Sequence, residues 1–192
     1  MKAALLRKKP KQTRSRLMVD NIIEASIRVL KKHPYEKFTT NRVAAEAGVS
    51  VGSLYQYFPN KQSILMELEI RAVSEMIENV EKLLFDDKFK PEQRLYKAIE
   101  YFFVTESSLY EIPFSSDLKH SAQLNRINIS IDSYLRLNGY IDEQADTFLS
   151  QYLVALVSGI AEQLGRRGIT GNFKSWIEMT FGLVMHSIQS HK

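Results

Sequence analysis

Five side chains stand out for what they can do chemically: Ser53, Tyr55, Gln56, Tyr57 and Lys61, all within the stretch FTTNRVAAEAGVSVGSLYQYFPNK that runs from Phe38 to Lys61. They carry hydroxyls, an amide and an ammonium. Such groups donate to phosphate oxygens and to base edges, and no base or metal ligand stands at a spacing that would turn any of them into a nucleophile. On a helical wheel over residues 51 to 58, Leu54 and Phe58 share the inward face, and Gly52, Ser53, Tyr55 and Gln56 turn outward. Gly52 lets backbone approach base edges closely. The Ser53, Tyr55 and Tyr57 hydroxyls suit phosphate oxygens, and Gln56 suits bases or phosphates. Pro59 stops this helix and Asn60 caps the next, which puts Lys61 in a first turn where N–H groups and ammonium together favour phosphate.

These groups need a scaffold that holds the second helix out from the protein. Val43, Ala47, Leu54 and Tyr57, with Ala44, give each of two short helices one apolar stripe, and Gly48 falls where the chain must turn between them. Glycine there can take the left-handed conformation that ends a helix. Val49 drops into the seam, Ser50 caps the second helix, and the small Ala44 allows a steep, close crossing. The spacing predicts a helix-turn-helix, although a plain surface helix pair with hydrogen-bonded tyrosines would share it.

The run TTNRVAAEAGVSVGSLYQYFPNK closely resembles the DNA-binding signature of the tetracycline-repressor (TetR/AcrR) family of bacterial transcription regulators, including the Gly-Val-Ser turn, the Leu-Tyr pair and the Tyr-Phe-x-Asn-Lys ending. The match covers about the first third of the chain; the rest is similar only in length and helical pattern. The resemblance implies phosphate contacts from Thr40, Ser53, Tyr55, Tyr57 and Lys61, and base contacts from Ser50, Val51 and Gly52. Because Val51 and Gly52 offer little polar readout, selectivity would lean on Arg42, Gln56, methyl contacts and DNA shape. The implied fold is all-α, with about nine helices: an N-terminal three-helix DNA-binding domain, then a helical ligand-binding and dimerisation domain.

Charge sorts the chain in the same way. Residues 1 to 60 hold 12 Lys/Arg against 4 Asp/Glu, a net +8, whereas residues 61 to 192 hold 14 against 18, a net −4. A basic module attracts phosphate by counterion release, and an acidic body is repelled by DNA. The chain has no cysteine, which excludes disulfides and thiolate metal sites, and its 4 histidines are scattered. No nucleophile elbow or phosphate-cradling glycine loop is present, so no enzyme, metal or cofactor is expected. The longest apolar run, Tyr152 to Ala161, is too short to cross a bilayer, and a cytoplasmic protein with no membrane partner is expected.

Taken in order, residues 1 to about 15 read as a basic arm carrying Arg7, Lys8, Lys9, Lys11 and Arg14, suited equally to minor-groove contact or to solubility. A bracing helix runs from Arg16 or Leu17 to Lys32, with its stripe on Val19, Ile22, Ile23, Ile27 and Leu30. The DNA-binding domain is placed at 1–60 and the second domain at 61–192. Expected helices in the second domain run from Lys61 to Leu84, Pro91 to Thr105, Phe114 to His120, Gln123 to Leu137, Asp142 or Glu143 to Arg167, and Asn172 or Phe173 to Ser190, with a loop over Ser107 to Pro113. The last two helices are apolar nearly all round. A second copy would cover them, with Tyr152, Ala155, Gly159, Ile177, Phe181 and Val184 at the dimer interface. Tyr101, Phe102, Phe103, Glu106, Tyr110, Tyr134, Tyr152 and Trp176 are the candidate ligand contacts, with Glu106 or Tyr110 as polar fixing points for an apolar or aromatic effector. The expected function is a homodimeric repressor that binds a near-palindromic double-stranded DNA operator and is released by a small molecule. The alternative is a DNA-binding protein whose second domain answers to a protein partner or drives cooperative assembly on DNA.

Overall fold

The computed structural model describes residues 13–109, 121–144, 146–167 and 173–190. Among them the chain is all-helical: α1 (Thr13–Lys32), α2 (Thr40–Ala47), α3 (Val51–Tyr57), α4 (Lys61–Leu84), α5 (Pro91–Leu109), α6 (Ser121–Leu137), α7 (Phe148–Arg166) and α8 (Lys174–Ser190), with one 3-10 turn at Tyr35–Lys37. The helix expected over Phe114 to His120, the basic arm up to residue 12, and Tyr110 lie outside the described residues.

Two compact units result, and the packing divides inside α4, between Ala72 and Val73. The sequence-based division at 60/61 follows the end of the reading pair. Packing continues further, because Ile64, Leu65 and Leu68 of α4 are buried in the N-terminal core, whereas Val73, Met76, Ile77, Val80 and Leu84 are buried in the C-terminal one.

In the N-terminal unit the core gathers Val19, Ile22, Ile23, Ala25 and Val29 of α1 with Phe38, Val43, Ala44, Leu54 and Phe58. Fully burying each large aliphatic or aromatic side chain contributes about 1.5–3 kcal/mol. The inward stripe of α1 keeps the expected Val19, Ile22 and Ile23, with Leu30 half-buried against the core, and departs from expectation at Ile27. Val29 and Ala25 point inward and Ile27 is exposed, since positions 19, 22, 26 and 29 keep the i, i+3, i+4 rhythm and buried Ser26 fills the gap by donating to the Ile22 carbonyl. Helix α1 also begins at Thr13 rather than Arg16 or Leu17.

The C-terminal unit packs α5, α6, α7 and α8 with the later turns of α4 around one apolar core. Its helix ends differ most from expectation in two places. Helix α5 continues through Ser107 to Leu109, because nothing before Pro113 interrupts it, so the loop expected from Ser107 starts no earlier than residue 110. Helix α7 starts at Phe148, not at Asp142 or Glu143. The Arg136 guanidinium gathers the carbonyls of Asp142 and Glu143, and the Asp146 carboxylate accepts the Phe148 N–H at 3.0 Å, so the preceding residues are held in a non-helical connection.

Candidate nucleic-acid interface and apolar cavity

The reading pair is built by three local devices. Thr39 is in extended conformation and its hydroxyl accepts the Arg42 N–H, which starts α2. Gly48 closes it at φ +67°, with the N–H of Gly48 donating to the Ala45 carbonyl at 3.2 Å and that of Val49 to Ala44 at 3.0 Å. Ser50 then starts α3, its hydroxyl accepting the Ser53 N–H at 3.0 Å. Thr39 went unnoticed in the sequence, although a threonine just before the first helical residue is the ordinary signal for a cap.

Tertiary contacts hold α2, the helix that precedes α3, against α1. The Asn21 side-chain amide donates to the Ala47 carbonyl at 2.8 Å, tying α1 to the end of α2. On the other side of α2, Glu46 accepts from Arg28 at 2.9 Å and from Lys32 at 3.0 Å. Those two cations, Lys32 first, hold the Glu46 carboxyl below its ordinary pKa.

What remains outside this scaffold is the predicted contact set. Arg42, Ser50, Gly52, Tyr55 and Gln56 are exposed, and Thr40, Val51, Ser53, Tyr57 and Lys61 are half-buried. Thr40 and Tyr55 share a hydrogen bond at 3.1 Å between their hydroxyls, which links the first turn of α2 to α3. The Ser50 and Ser53 hydroxyls lie 2.8 Å apart. Asn60 caps α4 by accepting the Ser63 N–H at 2.8 Å, and the Lys61 ammonium sits 4.3 Å from the centre of the Tyr35 ring. Tyr35 lies in the 3-10 turn that follows α1. Its role as the platform that steadies Lys61 depends on a contact between residues 26 apart in the chain, which no local pattern reports. A Cβ added at Gly52 would meet only the Ser50 hydroxyl oxygen, at 3.8 Å, so its outward side is open.

The C-terminal unit holds an apolar cavity of about 50 Å³. Aliphatic side chains from five helices and one aromatic ring make most of its wall: Val80 of α4, Leu95, Ile99 and Phe102 of α5, Ile127 and Ile131 of α6, Leu153 and Val157 of α7, and Val184 of α8 are among them. Among the described residues, Phe102 is the one candidate ligand contact that lines it. Phe103 and Glu106 are buried elsewhere in α5. Tyr101 accepts from the Asn79 amide at 2.9 Å, and Tyr134 donates to the Pro91 carbonyl at 2.7 Å as a strut at the start of α5. Burial raises the Tyr134 phenol pKa well above its usual value. Tyr152 and Trp176 do not reach the cavity and are 44% and 40% exposed. Aromatic residues drew attention in the sequence, whereas the cavity is bounded by aliphatics that read like any other core stripe.

The candidate interface residues separate in the same way. Tyr152, Ala155 and Gly159 lie along one exposed side of α7, where Phe148 stacks on Tyr152 at 6.3 Å between ring centres. On α8 the exposed apolar residues are Trp176, Met179 and Leu183. Ile177 and Val184 belong instead to the unit's own core, 3% and 1% exposed, and Phe181 is half-buried edge-on against Tyr96 at 5.3 Å. Helix α8 turns those positions inward, so the exposed face is carried by the alternate set.

Comparison with known proteins bears on this architecture. The family model described as "Bacterial regulatory proteins, tetR family" matches residues 22–68, the span from α1 to the first turns of α4. The fatty acid metabolism regulator protein of Bacillus subtilis (strain 168) is 35% identical over 72 residues, which is 38% of this chain and 36% of that protein. An HTH-type transcriptional regulator of Haemophilus influenzae is 28% identical over 87 residues, so the matches span 36% and 46% of these two curated relatives. Among solved structures, SmeT, the repressor of the Stenotrophomonas maltophilia multidrug efflux pump SmeDEF, superposes with a TM-score of 0.63 at 18% identity, covering 88% of this chain and 89% of that one. The regulator FadR of Bacillus subtilis, in complex with stearoyl-CoA, gives 0.60 at 19% identity, covering 86% and 96%. At such identities the likeness is one of fold, and it extends over both units. Residues 22–68 thus match the tetR family of bacterial regulatory proteins, and the fold around them is similar to that of these solved regulators.

Proposed function

We propose that the chain is a homodimeric transcription repressor, in which residues 1–60, together with Lys61 at the start of α4, bind a near-palindromic operator and the helices that follow bind a small apolar or aromatic effector and dimerise. The observation that carries it is the capped, glycine-turned α2–α3 pair. That pair leaves Arg42, Ser50, Gly52, Tyr55 and Gln56 exposed on a unit whose sequence is strongly basic. Phosphate contacts come from Thr40, Ser53, Tyr55, Tyr57 and Lys61, and base discrimination from Arg42, Ser50, Val51, Gly52 and Gln56.

A lining made almost wholly of aliphatic carbon suits an apolar effector, and charged ligand groups would have to stay at its mouth. An acyl chain is of that kind, as in the stearoyl-CoA complex of the similarly folded FadR. Dimerisation through Phe148, Tyr152, Gly159, Trp176, Met179 and Leu183 would cover the exposed apolar side of α7 and α8. Two reading helices then have to stand about 34 Å apart to enter successive major grooves. Effector and operator oppose each other by linkage, each weakening the other by the same factor.

The test is selection of a duplex from a random DNA pool by the purified full chain, followed by binding of that duplex across a salt series. A palindromic consensus, with affinity falling steeply as salt rises, is expected. Recovery of no consensus, or salt-independent binding, overturns the reading.

A further inference from the structure

The turn of α4 that closes the cavity is tied down on both sides. Val80 lines the cavity, and its neighbours Asn79 and Glu81 leave the helix about 100° to either side of it. Asn79 donates through its amide to the Tyr101 hydroxyl of α5 at 2.9 Å. Glu81 accepts from Arg126 of α6 through both carboxylate oxygens and from the Ser130 hydroxyl at 2.8 Å, while Glu78 lies 3.9 Å from the same guanidinium. Arg126 and Ser130 in turn immediately precede Ile127 and Ile131, which line the cavity from the α6 side.

The cavity itself is small. An apolar cavity of about 150 Å³ is what accommodates benzene in a well-studied case, three times the roughly 50 Å³ present here. An effector of that size or larger enters only if wall helices separate. Helices α4 and α8 contribute one wall residue each, whereas α5, α6 and α7 contribute several; among the described residues α5 and α6 pack closely on α7, and α8 on α5 and α7, while α4 packs less closely on any of them, so the α4 wall is the one that yields.

We propose that the Asn79–Tyr101 bond and the Glu81–Arg126–Ser130 cluster are two clasps that hold α4 over the cavity, and that effector entry opens them. The clasps thereby set how much effector is needed before α4 moves. This deepens, and rests on, the reading of the chain as an effector-released repressor. It assigns a role to the Tyr101 hydroxyl and to Arg126 that is neither ligand contact nor core packing.

The experiment uses the full chain, benzene as the probe, and the duplex enriched by the unaltered protein. Opening both clasps with Tyr101→Phe and Glu81→Ala removes the resistance to swelling. Net hydrogen-bond contributions of about 1 kcal/mol then translate to benzene binding about fivefold tighter, and to the duplex bound about fivefold more weakly. Tyr101→Phe alone removes one hydroxyl and moves both readouts in the same directions by a smaller factor. Asp132→Asn, which breaks the Asp132–Arg136 pair within α6 at 2.7 Å, changes neither. A general loosening of the fold would lower melting temperature without tightening the probe. Ala98→Leu, which fills the cavity, abolishes benzene binding in every background. Unchanged benzene and duplex affinities in both clasp variants overturn the proposal, as does benzene binding that survives Ala98→Leu. Failure of the unaltered chain to enrich any duplex overturns the repressor reading instead, and the benzene arm still decides whether the clasps resist swelling.

Discussion

The N-terminal and C-terminal units solve opposite problems with the same element. In the N-terminal unit, short helices of 8 and 7 residues are held by caps, a left-handed glycine and ion pairs, so that polar groups stand outside a filled core. In the C-terminal unit, helices of 17 to 24 residues bury long aliphatic stripes but leave a void between them and an apolar side uncovered. Short helices depend on their ends, because capping satisfies a large share of their backbone groups. Long helices depend on their faces. A rigid display of hydrogen-bonding groups follows from the first arrangement, and a deformable interior follows from the second.

The comparison breaks most visibly if the uncovered side of the C-terminal unit has no partner. No atom lies within 4 Å of a Cβ added at Gly159, so Gly159→Arg fits a single copy and disrupts only a second one packed there. A change from dimer to monomer in light scattering is expected, with helicity retained.

The next largest effect concerns the polar display. Lys61→Ala removes an ammonium steadied on Tyr35, and Tyr55→Ala removes a hydroxyl paired with Thr40. Each should weaken every duplex by about tenfold and leave sequence preference in place, and Lys61→Ala should lower the salt slope by about one. Filter binding over a salt series checks both. Gln56→Ala, by contrast, should reorder preference among sequences.

A matched pair of glycines sharpens the contrast between the units. Gly48 and Gly139 close helices with φ of +67° and +66°, the same back-donation to carbonyls, and open space where a Cβ would go. Alanine at either position should cost about 1–2 kcal/mol from left-handed strain alone, read as a shift in chemical denaturation. Only Gly48→Ala should also weaken duplex binding, because only that turn aims α3.

The smallest effect is electrostatic and common to both units. Glu46 is held below its ordinary pKa by Lys32 and Arg28, and Glu81 by Arg126 and then Ser130. A depressed carboxyl stabilises the fold above its unfolded value, near 4.5, and that contribution is lost as pH falls through the lower folded value. Stability should therefore decline below about pH 4.5, and Glu46→Gln should remove part of the decline. A melting series in acid with and without the substitution measures it.

The sequence by itself determined what depends on near neighbours. The turn at Gly48, the caps at Ser50 and Asn60, the stop at Pro59, the end of α4 at Leu84 and the outward set on α3 all follow from residue types a few positions apart, where backbone conformation and side-chain capping are decided. The tertiary structure alone decided which apolar residues face inward where several faces qualify. Helix α1 buries Val29 rather than Ile27, α8 buries Ile177 and Val184 and exposes Met179, and α7 starts at Phe148 because Arg136 holds the preceding carbonyls. It also placed the cavity among aliphatics from five helices and set Asn79 against Tyr101 and Glu81 against Arg126. Burial is a property of the surface a neighbouring helix presents, and a void or a clasp between helices exists only once those surfaces have met, so neither is written in the period of any one helix.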